Sequence, residues 1–206
     1  MQPWCRILPA AFLTLAACAG PALSDTARVA GATYGPHSIS PPTPALVIIC
    51  HGFDCKYRTR VGLTGADRAR LAAMLAPGKA SAEDERRAVA AAGAWFDRRI
   101  AAAAGTRNHV ARAGYGYSGD RNQFDCIDSS RNTTSLLLIL EQLKLLRHHA
   151  VDEPVSRGLF VDGRSPHTTA VLVETKGGEK WSVDSWTRGY GEAPEIMPLS
   201  RWRTLE

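Results

Sequence analysis

The sequence predicts an α+β domain, because helical patterns fill its first part and strand patterns its last. Three observations carry this reading. Two helical segments with recognisable caps follow one short strand, a third helix has an almost wholly apolar centre, and three strand-like runs close the chain. No internal repeat is visible, and strands and helices do not alternate as they would in βαβ units.

Residues 45–50 are a short apolar run of strand length. Thr64 and Asp67 then form a capping-box pattern, opening a helix over residues 64–76 that Pro77-Gly78 stops. Ser81 and Asp84 repeat that signal. They introduce a long helix to Ala104 with Val89, Ala92, Phe96 and Ile100 at helical spacing and Gly105 at its end. Residues 105–124 are rich in Gly, Asn, Tyr and Arg and read as loop. The third helix is expected over residues 126–146, buried on most sides around Leu136 to Leu140, with His148-His149 closing it. Strands are expected over residues 156–162, 167–175 and 180–186, with Gly177-Gly178 between the last two.

The N-terminal residues read as an export signal. Arg6 precedes an apolar stretch over residues 7–17, interrupted by Pro9 and too short to span a bilayer. It ends in Leu15-Ala16-Ala17-Cys18, which matches the bacterial lipobox. Residues 1–17 are then a leader and Cys18 the lipidated N-terminus; an ordinary signal peptide cut after an alanine is the plainer alternative. Residues 18–44, rich in Ala, Gly, Pro and Ser, are expected to be a flexible tether, with the domain over 45–206. Ala19 is not the Asp that often retains lipoproteins at the inner membrane, which favours the periplasmic face of the outer membrane. The net charge of +5 is spread along the chain. With no cluster of Lys and Arg among stacking aromatics, no nucleic-acid partner is expected.

Three cysteines remain after Cys5 and Cys18. Cys50 and Cys55 form a reasonable small disulfide loop in an exported protein, with a metal site around His51 as the minor alternative. Cys126 is then an odd thiol at the first turn of a helix, where free N–H groups favour a thiolate and could hold an oxyanion. His167 opens a strand and could take the thiol proton, and Asp184, in Trp181-Ser182-Val183-Asp184, ends the next strand and could orient the imidazole. Taken singly, each residue has a structural reading: packing, a satisfied strand histidine, a turn cap. A two-residue turn at Gly177-Gly178 would set Asp184 opposite Val171, too far from His167. The triad therefore requires a turn centred nearer Thr175 to Gly177, or a bulge.

Cys126, His167 and Trp181-Ser182-Val183-Asp184 resemble the transglutaminase-like superfamily with its papain-type core. That family has a Cys at a central helix start, a His opening a strand and an Asp closing the next. Phe124-Asp125-Cys126-Ile127-Asp128 resembles the Asp-Cys-x-Asp stretch of bacterial transglutaminase-like cysteine proteinases, and the segments around Asp125, Pro166 and Val183 resemble an uncharacterised proteobacterial lipoprotein group. The resemblance covers residues 80–190. It implies a papain/transglutaminase-like core, with the helix of Cys126 packed on a C-terminal antiparallel sheet. It also implies thioester chemistry on a protein or peptide substrate in the envelope, with Cys126, His167 and Asp184 as the catalytic set. No cofactor is required, although related proteinases use nearby acids for calcium. The chain departs from the family where His167 is followed by Thr168-Thr169. Asp125 and Asp128 would oppose a thiolate unless they cap the helix, pair with Arg121 or Arg131, or bind a cation. Gln123 and Asn122 are candidate oxyanion donors. A peptidoglycan cysteine endopeptidase and an inactive peptide-binding module are the competing readings.

Overall fold

Polar side chains of the chain's central helix meet buried backbone on two sides, and the other elements are placed around it. The computed structural model describes residues 25–158 and 166–205. In order they form α1 (Asp25–Tyr34), β1 (Leu46–His51), β2 (Tyr57–Gly62), α2 (Gly65–Leu75), α3 (Ala82–Ala104) and α4 (Cys126–Gln142). Then come β3 (His149–Arg157), β4 (His167–Glu174), β5 (Lys180–Asp184), β6 (Glu195–Pro198) and α5 (Leu199–Thr204). One hairpin pairs β1 with β2, and an antiparallel sheet runs β3-β4-β5-β6. The α+β class is as expected; β2, β6 and α5 are additions to it.

The helix starts follow their caps. Thr64 and Asp67 exchange hydrogen bonds in a complete capping box at α2, and Ser81 accepts from the Asp84 N–H at α3, which Gly105 ends in the left-handed region at φ 78°. Leu136 to Leu140 are all buried, so α4 is covered on every side there. It ends at Gln142 rather than residue 146. Lys144 takes a left-handed φ of 56°, and the Leu145 N–H closes on the Leu140 carbonyl in a Schellman-like turn. His148-His149 therefore does not cap this helix. His149 opens β3 with its side chain buried, beside a Glu85 carboxylate that accepts the Arg147 and His148 N–H groups. The strand expected over 156–162 meets β3 only at its end, and residues 159–162 lie outside the described residues.

The two faces of the sheet have different partners. Ala170, Leu172 and Val183 join the main core with α4, whereas Val171 packs with Leu199 and Trp202 of α5. Strand alternation puts His167 and Thr169 on the α5 face with Val171. The β4–β5 turn is a four-residue one closed by Glu174 N–H to Glu179 O at 2.8 Å, with Gly177 and Gly178 both at positive φ. It pairs Ala170 with Val183, so Asp184 falls beside Thr169, and the required shift from Val171 is present.

The tether expected over residues 18–44 is corrected from Asp25 onward; residues 1–24, with the leader and Cys18, lie outside the described residues. Small residues let α1 lie close to β3 and α4, and Val29, Tyr34 and Ile39 are buried in the main core. The Tyr34 hydroxyl shares a 2.7 Å hydrogen bond with Ser135 of α4. Starting the chain at residue 45 should therefore destabilise it, since each buried apolar side chain contributes about 1.5–3 kcal/mol. A clear fall in the urea midpoint relative to a chain starting at residue 25 is expected; equal midpoints would restore the tether.

Candidate active site

The N-terminus of α4 is built by two carboxylates and a loop with an unusual backbone. Gly52, Phe53, Asp54 and Cys55 all have positive φ, at 82°, 74°, 48° and 55°, and the Cys50–Cys55 disulfide closes the loop. Three of these are not glycine, a conformation that costs about 1–3 kcal/mol at each such residue unless its surroundings enforce it. Here the twist turns successive N–H groups toward α4. The Asp128 carboxylate, fully buried, accepts from Cys55 N at 2.6 Å and Phe53 N at 2.8 Å. Asp125 is the N-cap: one oxygen accepts from Asp128 N at 2.7 Å, the other from Asp54 N at 2.9 Å. The Asn132 amide pairs with both the N–H and the carbonyl of Cys50, at 2.9 and 2.8 Å, like one more strand neighbour.

This answers why two acids flank Cys126. All four of their oxygens accept an N–H: Asp125 caps the helix, and Asp128 holds the loop over residues 53–55. Atoms of Cys50, Cys55 and Asp128 lie within 4.8 Å of one another, but the sulfurs are bonded to each other and are not thiolate ligands in this state. His51 is held by the Arg121 carbonyl and the Thr59 hydroxyl, at 2.8 and 2.9 Å, and completes no metal set.

Among the described residues Cys126 is the free thiol, half-buried at the first residue of α4. Its sulfur reaches around to the start of β4, 3.9 Å from the Pro166 carbonyl. Burial pushes the thiol up to about 11; an N–H bond from Thr168 opposes this, and the Asp125 and Asp184 charges add to it. The thiolate expected at a helix N-terminus is thus not the resting form. Capping by Asp125 neutralises the positive helix end that would have favoured it.

His167 and Asp184 are joined. Nε2 and the Asp184 Oδ2 are 2.5 Å apart, both side chains are buried, and the Trp202 indole N–H donates to the same oxygen at 2.8 Å. The imidazole lies against Trp186 and Trp202, with ring centroids 4.7 and 5.3 Å away. Its Nδ1 is buried with no hydrogen-bond partner among the described residues, so no hydrogen bond yet joins it to the sulfur. The carboxylate fixes Nε2, which leaves Nδ1 as the atom able to take a proton. Gln123 does not serve as an oxyanion donor: it is buried, accepting from Val110 N and donating to the Asn108 carbonyl. Asn122 folds back onto Asp120. The Thr168 N–H and the N–H groups at the start of α4 are the donors near the sulfur.

Beside this set, α3, α4 and the segment after β5 enclose a cavity of about 50 Å³, lined by Phe96, Ile100, Leu137 and Val183 with Ser129 and Ser185. The sequence reasoning did not find Trp186 and Trp202. Trp186 extends the alternation Asp184-Ser185-Trp186, and Trp202 sits three residues after Leu199 between exposed arginines, a one-turn amphipathic signal. No family model, curated protein or solved structure matches the chain.

Burial, with the nearby Asp125 charge, pushes the Asp128 carboxyl up to about 7, against the lowering by its N–H donors. A carboxyl raised in the folded state holds its proton better there than in the unfolded chain. Its stabilising contribution is full below the unfolded value of 3.8 and is lost as pH rises through about 7. Urea midpoints measured from pH 4 to 8 should therefore fall across this window, and the Asp128→Asn variant should flatten that part of the curve. A midpoint rising through the window would reverse the assignment.

Proposed function

We propose that this chain is a cysteine-dependent acyl-transfer enzyme of the transglutaminase-like kind, hydrolysing an amide bond of a protein or peptide through Cys126, His167 and Asp184. The observation that supports it best is the buried His167–Asp184 pair at 2.5 Å, whose Nδ1, without a hydrogen-bond partner among the described residues, stands at the start of β4 where the Cys126 sulfur also arrives.

With the thiol protonated at rest, His167 acts as a general base rather than as half of an ion pair. The Cys126 proton passes to Nδ1 as Sγ bonds to the substrate carbonyl carbon. N–H groups of the first turn of α4 receive the oxyanion. The C–N bond breaks, the leaving amine takes the proton from His167, and a thioester remains. Water, deprotonated by the same imidazole, then attacks that thioester and releases the acid, and the thiol recovers its proton. Asp184 stabilises the imidazolium in both steps. On this reading the chain is exported, lipidated at Cys18 and held at the periplasmic face of the bacterial outer membrane, with its substrate in the envelope.

A second reading is a peptide-binding module that has lost turnover. The absence of a hydrogen bond between Sγ and Nδ1 among the described residues favours it.

An activated ester separates the two. With p-nitrophenyl acetate, the enzyme should release one equivalent of nitrophenolate per chain in a burst. Cys126→Ala should remove the burst, and His167→Ala should slow it about 10²–10⁴-fold. A burst insensitive to His167, or none at all, leaves the binding module.

A further inference from the structure

The C-terminal helix brings a tryptophan to a place that core packing alone does not require. Trp202, on a helix of six residues, is 1 % exposed and yet places its one polar atom on the Asp184 Oδ2 already facing His167. The same indole lies 5.3 Å from the His167 ring, and the Arg157 guanidinium lies over it at 4.8 Å. Arg157 and His167 are direct partners in the β3–β4 ladder, so the indole spans the two residues that meet there. Leu199, packed with Val171 and Met197, anchors the helix that carries it. An aliphatic residue would fill the space. Only a donor satisfies a carboxylate oxygen that is buried and charged.

We propose that Trp202 is a positioning residue for the reaction proposed above: its N–H sets the orientation and proton affinity of Asp184, and its ring holds the plane of His167. The inference rests on that reading of Cys126, His167 and Asp184. Two donors on one oxygen fix the carboxylate in two directions, where the imidazole alone would leave it free to rotate about the shared bond. The N–H also favours the ionised carboxylate. Without it the carboxylate is left to the imidazole alone, and the pH profile of the reaction moves upward.

Trp202→Phe keeps an aromatic ring in the site and removes the donor together with the pyrrole half of the indole. In the full chain, solubilised in detergent, nitrophenyl acetate acylation of Cys126 is followed against pH beside the unchanged chain and His167→Ala. The expected result is an inflection about one pH unit higher in Trp202→Phe, with a several-fold lower rate at pH 7. An inflection in the unchanged chain that Trp202→Phe leaves in place, with an equal rate, overturns the role of Trp202 alone. If the unchanged chain has no inflection that depends on His167, the acyl-transfer reading fails, and the positioning role fails with it. Should Trp202→Phe not fold, the indole N–H proton of Trp202 in the unchanged chain carries the test by NMR. It should shift with pH in step with the His167 ring, whereas a flat indole signal would overturn the proposal.

Discussion

The fold around the candidate site depends on how buried carboxylates are satisfied at the start of α4. Asp125 and Asp128 stand where a helix has N–H groups without partners, and Asp125 uses that. Asp128 points the other way, into a loop whose backbone is wound left-handed for four residues so that its N–H groups converge on the acid. Neither partner is stable without the other. A buried carboxylate without donors would be costly, and so would three strained residues without the disulfide and carboxylates that hold them. Asn132, one helical turn further on, ties the same loop to α4 through Cys50. Cys126 is therefore fixed from behind, by bonds that do not involve the sulfur.

The electrostatics of this arrangement decide which kind of cysteine chemistry the site suits. A thiol at an uncapped helix end, beside a cation, rests as a thiolate. Here the helix end is capped by an anion and the sulfur is partly buried, so the proton stays on it. In the reaction proposed for this site, the work of ionising Cys126 falls on His167. That places the demand on the pair His167–Asp184, which is buried, hydrogen-bonded and surrounded by indole rings. Water is kept from the pair, and a charge formed there is met by a fixed carboxylate rather than by solvent.

What could be read from the residues alone was local. Caps at Thr64 and Ser81, the apolar centre of α4, the close cysteine pair and the order Cys126, His167, Asp184 are all signals within a few residues or within one pattern. The errors came from interactions distant in sequence. Residues 25–44 have the small side chains of a linker, but the contacts of Val29, Tyr34 and Ile39 lie far along the chain. His148-His149 looked like a helix end because the Schellman turn at Lys144 is not written in its residue type. Strand β2, with Arg58 and Arg60 exposed, lacks the apolar run that marked β1. The register of β4 and β5 could be stated as a requirement, but only the four-residue turn settled it. Gln123 was a fair candidate by position, yet its amide is used by the loop it borders.

The helix that covers His167 and Asp184 comes from residues 199–204, later in the chain than every other described element. A chain made from its N-terminus delivers Cys126 first, then the histidine and its acid, and after these the indole that closes over them. Until that segment has docked, the imidazole and carboxylate stand open to solvent on one face of a sheet. The order of synthesis thus keeps the Cys126 thiol apart from a covered imidazole until residues 199–204 have folded.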